Sequence, residues 1–394
     1  METNLKHLLL VLTPVLFLLN LVHSFFYLPH SDRTEGSHHI PHWLYYTLMT
    51  AFFGAMMFAL TASSLPLMWV AVELTTLVSA PLIAYRREKG SLEAMWKYLL
   101  ICSIGISLAL FGTMLVLHAE TTRSVRWYMA GFAFILAGYG TKTGLAPFHS
   151  WLPDAHSEAP SPVSALLSGA LLNCSLFAIV RFREIMPPEA NHFCDKAMIA
   201  LGLLSVATAA VFMVRQTDFK RLLAYSSVEH MGLAIIFYAI LCMTPANVPH
   251  MEFLAIAFLV HIASHSLIKT ALFAIAGNLL LAFRTRAISV VHGLQVSMKG
   301  HSWLWLAGIL LICGMPPSPL FFTEYALVMA ASLPVASGLL IFLFIVFAAM
   351  MKAALSMTMG KPLAMPEKLP KALGAMPACA ITLLFTAIIM MLFA

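Results

Sequence analysis

The sequence predicts an all-α, polytopic membrane protein with about twelve transmembrane helices, and three observations carry that expectation. Hydrophobic residues make up 61% of the 394 residues, and only 10% are charged. An ordinary soluble domain carries about 25% charged residues, so this chain could not present a polar exterior. Apolar runs of roughly 20 residues follow one another through the whole chain, each long enough to cross a bilayer. The breaks between them are short. Four carry strong turn or charge signals: Arg86-Arg87-Glu88-Lys89-Gly90, Pro187-Pro188, Pro245 with Pro249, and Pro362 to Pro370. The composition excludes a soluble enzyme, a disordered chain and a secreted disulfide scaffold. An open sheet is excluded too, because its edges would be unsatisfied in lipid.

The first span, roughly 5–28, holds Pro14, Asn20 and His23 rather than a small-residue cleavage site, so no cleavable signal peptide is expected. Spans at roughly 43–62, 65–85 and 93–118 follow, the last two parted by the charged turn at Arg86–Gly90. The fifth, roughly 127–147, ends in a run containing Gly138, Gly140, Gly144 and Pro147. The sixth, roughly 161–182, stops before Pro187-Pro188, and the seventh occupies roughly 196–214. The eighth, roughly 222–243, ends before Pro245, and the ninth is a long run over roughly 252–282. The tenth, roughly 302–322, contains Pro316-Pro317-Ser-Pro319, and the eleventh covers roughly 325–358. The twelfth, roughly 372–393, follows Pro370. Short loops make successive helices antiparallel neighbours, in a single transmembrane domain over 1–394.

Twelve spans put both termini on one side. The formal charge of +6 sits in short loops, chiefly those after odd-numbered spans, such as Arg86, Arg87, Lys220, Arg221, Arg284 and Arg286. By the positive-inside rule those loops are cytoplasmic, and both termini are expected outside a prokaryotic plasma membrane. The same charge in a soluble chain would suggest nucleic acid, which is not expected here. The six cysteines include no two within three residues, so no iron–sulfur, zinc or redox motif is offered.

Ionisable residues inside apolar helices point to function. A charge at the bilayer centre costs at least about 2.5–3.5 kcal/mol, so such residues are retained for a reason. Glu73, Lys142 and Lys269 have apolar sequence on both sides. Glu229 and His230 lie in the eighth span, and His261 and His265 share the ninth with Lys269. Glu324 follows the proline-rich stretch of the tenth span. Lys97 and Lys352 also fall within spans, nearer their ends, where snorkelling to the interface competes with an internal role. Acids and bases together suggest mutual pairing, and an alternation of the two is what a proton path requires.

His261, His265 and Lys269 recur at i, i+4 and i+8 and so line one helical face. The two histidines lack the Glu of a zinc-protease motif and an obvious third ligand, so no metal is expected there. Ser266-Leu-Ile-Lys269 matches an acylating-enzyme pattern by chance. Two or three helices are expected to be discontinuous: the one ending at Lys142, the one before Glu324, and the long ninth span with Gly277 after its polar centre. The loop with His30, His38, His39 and His42 is read as solvated, with no assigned role.

The run Gly140-Thr-Lys142-Thr-Gly-Leu-Ala-Pro-Phe-His-Ser-Trp-Leu-Pro-Asp154-Ala-His156-Ser-Glu158-Ala-Pro160 resembles the proton-translocating antiporter-like membrane subunits. These are the large membrane-arm subunits of respiratory complex I, the big subunits of Mrp-type antiporters, and their hydrogenase counterparts. Asp218-Phe-Lys220-Arg221-Leu-Leu-Ala-Tyr-Ser-Ser, His261-Ile-Ala-Ser-His265-Ser-Leu-Ile-Lys269 and Gly314-Met-Pro-Pro-Ser-Pro-Leu-Phe-Phe-Thr-Glu324 extend the resemblance in order over about 43–325. Glu93-Ala-Met-Trp-Lys97-Tyr and Tyr225-Ser-Ser-Val-Glu229-His230-Met-Gly232 look closest to hydrogenase-4 component F.

The resemblance implies an inverted-repeat fold lacking the family's two N-terminal helices, with C-terminal helices over 326–394. It matches Glu73 to the family's glutamate on its fifth helix, and Lys142 to the paired lysine on the broken seventh. Lys269, with His261 and His265, matches the central connecting group, and Glu324 the terminal Lys-or-Glu on the broken twelfth helix. Ser168 stands where many relatives carry a His. Lys97, Glu229, His230 and Lys352 are possible accessories. The implied function is proton translocation as one subunit of a hydrogenase-like or complex I-like redox complex, with no cofactor in this chain and energy supplied by partner subunits. The alternatives are a subunit of a cation/proton antiporter or uptake system, and a non-conducting scaffold.

Overall fold

A computed structural model describes residues 1–35, 39–245 and 251–362. Within them fifteen α-helices run in order: α1 (Glu2–Glu35), α2 (His42–Thr61), α3 (Leu65–Ile83), α4 (Lys89–Thr122), α5 (Val125–Thr143), α6 (Trp151–Glu158), α7 (Ser161–Leu166), α8 (Leu172–Glu184), α9 (Pro188–Met213), α10 (Phe219–Met243), α11 (Met251–Phe283), α12 (Leu294–Ser297), α13 (Lys299–Ile312), α14 (Pro319–Ala330) and α15 (Leu333–Thr358). Helices α7 and α8 form one span through a single π-helical turn, Leu167–Leu171. Among the described residues β pairing is confined to one isolated bridge, Asp218 with Ala287.

Nine of these segments are long and apolar enough to cross a membrane. They are the expected spans except the fifth, where α5 is long enough but less apolar, the tenth, which is built from shorter pieces, and the twelfth, 372–393, which lies outside the described residues with Cys379. The chain is an all-α, multi-pass membrane protein. Its centre is the trio Ser161–Glu184, Phe219–Met243 and Met251–Phe283, whose most apolar windows are 100%, 89% and 100% buried. The outlying α15 buries only 17% of its window, as a lipid-facing helix should.

Three boundary expectations are corrected. The fifth span ends at Thr143 instead of 147: Gly144 takes a left-handed conformation (φ 82°), and the chain restarts as α6. The tenth span breaks after Ile312, so its expected end belongs to α14. The expected eleventh span is in turn two helices, α14 and α15. Prolines set these breaks, because Pro319 and Pro334 sit at the first turns of α14 and α15, where a missing N–H costs nothing. Ser318 caps α14, its hydroxyl accepting from the Leu320 amide at 3.2 Å. The ninth span is unbroken. Gly277 there serves close packing, since a Cβ would lie 2.6 Å from Ser161 and 2.9 Å from Tyr27.

Close approach also sets the contact of α4 with α5. A Cβ on Gly112 would lie 2.7 Å from the Gly131 carbonyl and 2.8 Å from the Ile135 amide nitrogen. In lipid, where there is no hydrophobic drive between helices, such small-residue contacts hold helices by van der Waals packing. On the opposite flank, Arg183 of α8 makes a two-pronged ion pair with Asp195 of α9, at 2.6 and 2.8 Å, both buried. We expect Gly112→Val to cost about 1–3 kcal/mol by forcing α4 and α5 apart. Gly54→Ala, with nothing within 4 Å of its new methyl, should melt like the parent in detergent. Equal melting of the two variants would contradict this role for the contact.

Candidate functional site

The predicted charges sit in and beside the buried trio. Lys142 is fully buried in the last turn of α5, where the negative end of the helix dipole favours a cation. Its ammonium donates to Thr76 Oγ1 at 2.8 Å and to the Tyr98 hydroxyl at 2.5 Å, and lies 4.5 Å from the centre of the Tyr98 ring. Glu73 is half-buried one turn before Thr76 on α3. Its carboxylate accepts from Thr76 at 3.4 Å and from Ser103 at 2.9 Å. The expected Glu73–Lys142 pair is therefore joined through a threonine hydroxyl that accepts from the lysine and donates to the carboxylate.

Tyr98 leads elsewhere. Ser79 uses its proton on the Thr75 carbonyl at 2.6 Å, so the Tyr98 hydroxyl donates to Ser79 at 2.7 Å. That branch ends at a carbonyl, which has no proton to pass. At the break beneath Lys142, the Leu145 amide bonds the Gly140 carbonyl at 2.8 Å, and the Trp151 indole bonds that of Thr141, also at 2.8 Å.

Lys269, fully buried on α11, donates to the Leu223 carbonyl and the Ser226 hydroxyl of α10. Adjacent Ser227 bonds Ser168 at 2.8 Å, and Ser168 lies in the π-helical turn. Ser168 thus reaches the Lys269 neighbourhood through a hydroxyl pair. One turn back on α11, His265 packs on His230 of α10, ring centres 5.1 Å apart, and His261 lies 5.4 Å from His230. All three rings are buried.

The hydrogen bonds fix two tautomers. Thr323 donates to the Leu320 carbonyl at 3.0 Å, so it accepts from His261 Nδ1 at 3.1 Å. His230 Nε2 donates to the Ile312 carbonyl at 3.0 Å. That leaves His230 Nδ1, His261 Nε2 and both His265 nitrogens buried without a protein partner, together with one oxygen each of Glu229 and Glu324. Buried polar atoms in such a cluster are ordinarily satisfied by ordered water.

Glu324, in the second turn of α14, rests against the break that ends α13. A Cβ on Gly314 (φ 63°) would lie 3.1 Å from the Glu324 carboxyl carbon. Glu229 lies close enough to interact electrostatically with both Lys269 and Glu324. Here too the freed carbonyls are taken up. Leu310 accepts from Met315 at 3.0 Å, Leu311 from Ser318 at 2.8 Å, and Ile312 from His230.

Two accessory candidates lie elsewhere. Lys97 is at the exposed end of α4, 2.8 Å from Glu93 and 3.1 Å from Asp154, in a cleft that Arg221 closes on the same aspartate at 2.6 Å. Lys352 is exposed on α15. Glu229 and His230 join the internal row. Thr76, Tyr98, Ser226 and Thr323 were missed by sequence reasoning. Only Thr76 had a usable signal, three residues from Glu73 and hence on its face. His156, in the run that follows Lys142, had no role assigned from the sequence. It is fully buried, stacked on Phe273 at 4.9 Å, and interacts with both Lys269 and Lys220.

Residues 62–352 match the family described as NADH:quinone oxidoreductase/Mrp antiporter, TM. The chain belongs to this family. A curated relative, the hydrogenase-4 component F homolog of Methylacidiphilum infernorum, is 38% identical over 310 residues, covering 73% of this chain and 63% of that one. A Na(+)/H(+) antiporter polypeptide from Alkalihalophilus pseudofirmus is 30% identical over 319 residues, covering 75% and 38%. The chain thus spans less than two thirds of the length of these relatives. The fold is shared with the Mrp complex of Dietzia, at a TM-score of 0.82 and 16% identity over 97% of this chain and 80% of that one. It is shared also with respiratory complex I of Thermus thermophilus, at 0.74 and 23% over 98% and 92%.

Within this antiporter-like core, His230→Leu should cost about 1–3 kcal/mol, because the Ile312 carbonyl loses its donor. His230→Gln, which can keep a donor on that carbonyl, should cost less in melting. A larger loss for the glutamine variant than for the leucine variant would contradict the assigned role of His230 at the break.

Proposed function

We propose that this chain is the proton-translocating membrane subunit of a larger redox complex, of the hydrogenase-like or complex I-like kind. One observation carries the reading: ionisable groups recur through the bundle from half-buried Glu73 through the fully buried Lys142, Lys269 and three histidines to half-buried Glu324, and the two helix breaks adjoin Lys142 and Glu324. The path is Glu73–Thr76–Lys142, then Lys269 through the Ser168–Ser227–Ser226 region, then His265, His230 and His261, and finally Glu229 and Glu324. His156 and Lys220 form a branch from Lys269 toward the basic face, where Lys220 donates to the Ala159 carbonyl at 2.7 Å.

The geometry suits proton transfer. Lys142 donates to Thr76 and Thr76 to Glu73, so a concerted shift along the two bonds neutralises both charges without moving a heavy atom far. Withdrawing Glu73 leaves Lys142 a desolvated cation in an apolar site, which favours proton release toward the interior. Moving one charge against 100 mV takes about 2.3 kcal/mol, and partner subunits would supply it. The orientation follows the basic loops: both termini outside, in a prokaryotic plasma membrane. The chain itself would carry no cofactor.

In the intact complex reconstituted in vesicles, Lys142→Ala should abolish proton pumping while the complex still assembles. Pumping at the parental rate would overturn the proposal. Thr76→Val should slow pumping by at least about tenfold, a barrier increment of about 1.4 kcal/mol. Tyr98→Phe should slow it less, because its branch ends at a carbonyl. The reverse order would refute the threonine link. Co-purification of redox subunits from native membranes supports the redox complex, whereas transporter subunits alone would make this chain part of a cation/proton antiporter.

A further inference from the structure

A second cluster lies far from the buried row, where α1, α2 and the turn after α3 meet. Asp32 ends the first membrane span, His39 precedes α2, and His42 opens it. Their side chains converge. His42 Nε2 lies 2.6 Å from Asp32 Oδ2, and His39 Nε2 lies 3.5 Å from the same oxygen. The three ligand atoms all fall within 4.8 Å of one another. Of the histidines in the loop expected from the sequence to be solvated, His39 and His42 belong to this cluster, and His38 lies outside the described residues.

Surrounding groups orient these three in the way metal ligands are oriented. His39 Nδ1 faces the Ile40 carbonyl at 3.0 Å, and a carbonyl can only accept, so Nδ1 carries the proton. In the neutral ring this leaves the Nε2 lone pair aimed at a carboxylate oxygen. That 3.5 Å separation is one that either a proton on the ring or a bound cation would satisfy. The Tyr85 hydroxyl donates to both oxygens of Asp32, at 3.0 and 3.1 Å, and so holds the carboxylate in place. The Tyr85 ring also stacks on His39 with centres 5.5 Å apart, and the Ile40 amide bonds the Tyr85 carbonyl at 3.0 Å.

We propose that Asp32, His39 and His42 form a site for a divalent transition cation of the zinc class, which pins the α1–α2 junction to the end of α3. Two imidazoles and one carboxylate are a donor set that zinc takes readily. Bonds of about 2.0–2.1 Å in a tetrahedral site put ligand atoms about 3.3 Å apart. The His39–Asp32 separation already fits, the His42–Asp32 hydrogen bond would open as the metal replaces its proton, and the two histidine nitrogens, within 4.8 Å of each other, would draw together. His42 is 43% exposed, so the outer side is open to a water as fourth ligand. The i, i+3 spacing of the histidines was visible in the sequence; the aspartate beside them was not.

The test uses the full chain, purified without a histidine tag and stripped of metal, and titrated with Co2+ and Zn2+. One equivalent of Co2+ should give the visible absorption of a four-coordinate site, and Zn2+ should displace it. The same Zn2+ should raise the melting temperature of the parent but not of His39→Ala/His42→Ala. Asp32→Asn, which keeps the shape and can keep a Tyr85 contact, should weaken binding by at least about tenfold, and Tyr85→Phe by about tenfold, as outer-shell losses do. Two results would overturn the site: no stoichiometric binding by the parent, or binding undiminished in the double variant, which would place the metal among the other histidines. Neither depends on proton transport.

Discussion

The interior must hold several ionisable side chains inside an apolar bundle without letting any become an unpaired charge. Most of the architecture follows from that constraint. A charge in a low-dielectric interior is tolerated only when hydrogen-bonded or paired. Here the lysines are held chiefly by hydroxyls and carbonyls. Lys142 has a threonine, a tyrosine ring and its hydroxyl; Lys269 has a serine and a carbonyl. Held this way, each lysine can lose a proton without leaving a carboxylate stranded against it. A tight ion pair would instead fix both charges.

The helix breaks serve the same constraint. An interrupted helix in lipid exposes carbonyls that must find donors. At α5 the donors are backbone amides and Trp151; at α13 they are Ser318, backbone amides and His230. The last case joins structure to function, because the histidine that closes the break also packs on His261 and His265. Its proton is committed to Ile312 and its other nitrogen faces the cluster, so a change in protonation there bears directly on the geometry beneath Glu324.

Much of this was legible in the sequence. Glu73, Lys142 and Lys269 stood out because apolar residues flank them, and the i, i+4, i+8 row on α11 follows from helical period alone. The hydroxyls were not legible, since threonine and serine are ordinary in membrane helices and only tertiary contact selects Thr76 and Ser226 from the rest. Span ends around 312–332 were misplaced because hydropathy continues through the break while proline and capping set it. Gly277 was misread for a related reason: a glycine following a polar stretch looks like a break when it is in fact a close contact between helices. The convergence of Asp32 with His39 and His42 depends on how α1 meets α2, which no local pattern encodes.

Everything proposed for the buried row turns on proton passage between the two broken helices by way of Lys269. The most direct measurement is proton translocation in vesicles by the intact complex carrying Lys269→Met, a substitution that keeps length and removes the titrating group. The expected result is a fully assembled complex from which the share of pumping due to this subunit is lost. Parental pumping with methionine at that position would contradict it, and would leave the buried row as a way of holding helices together.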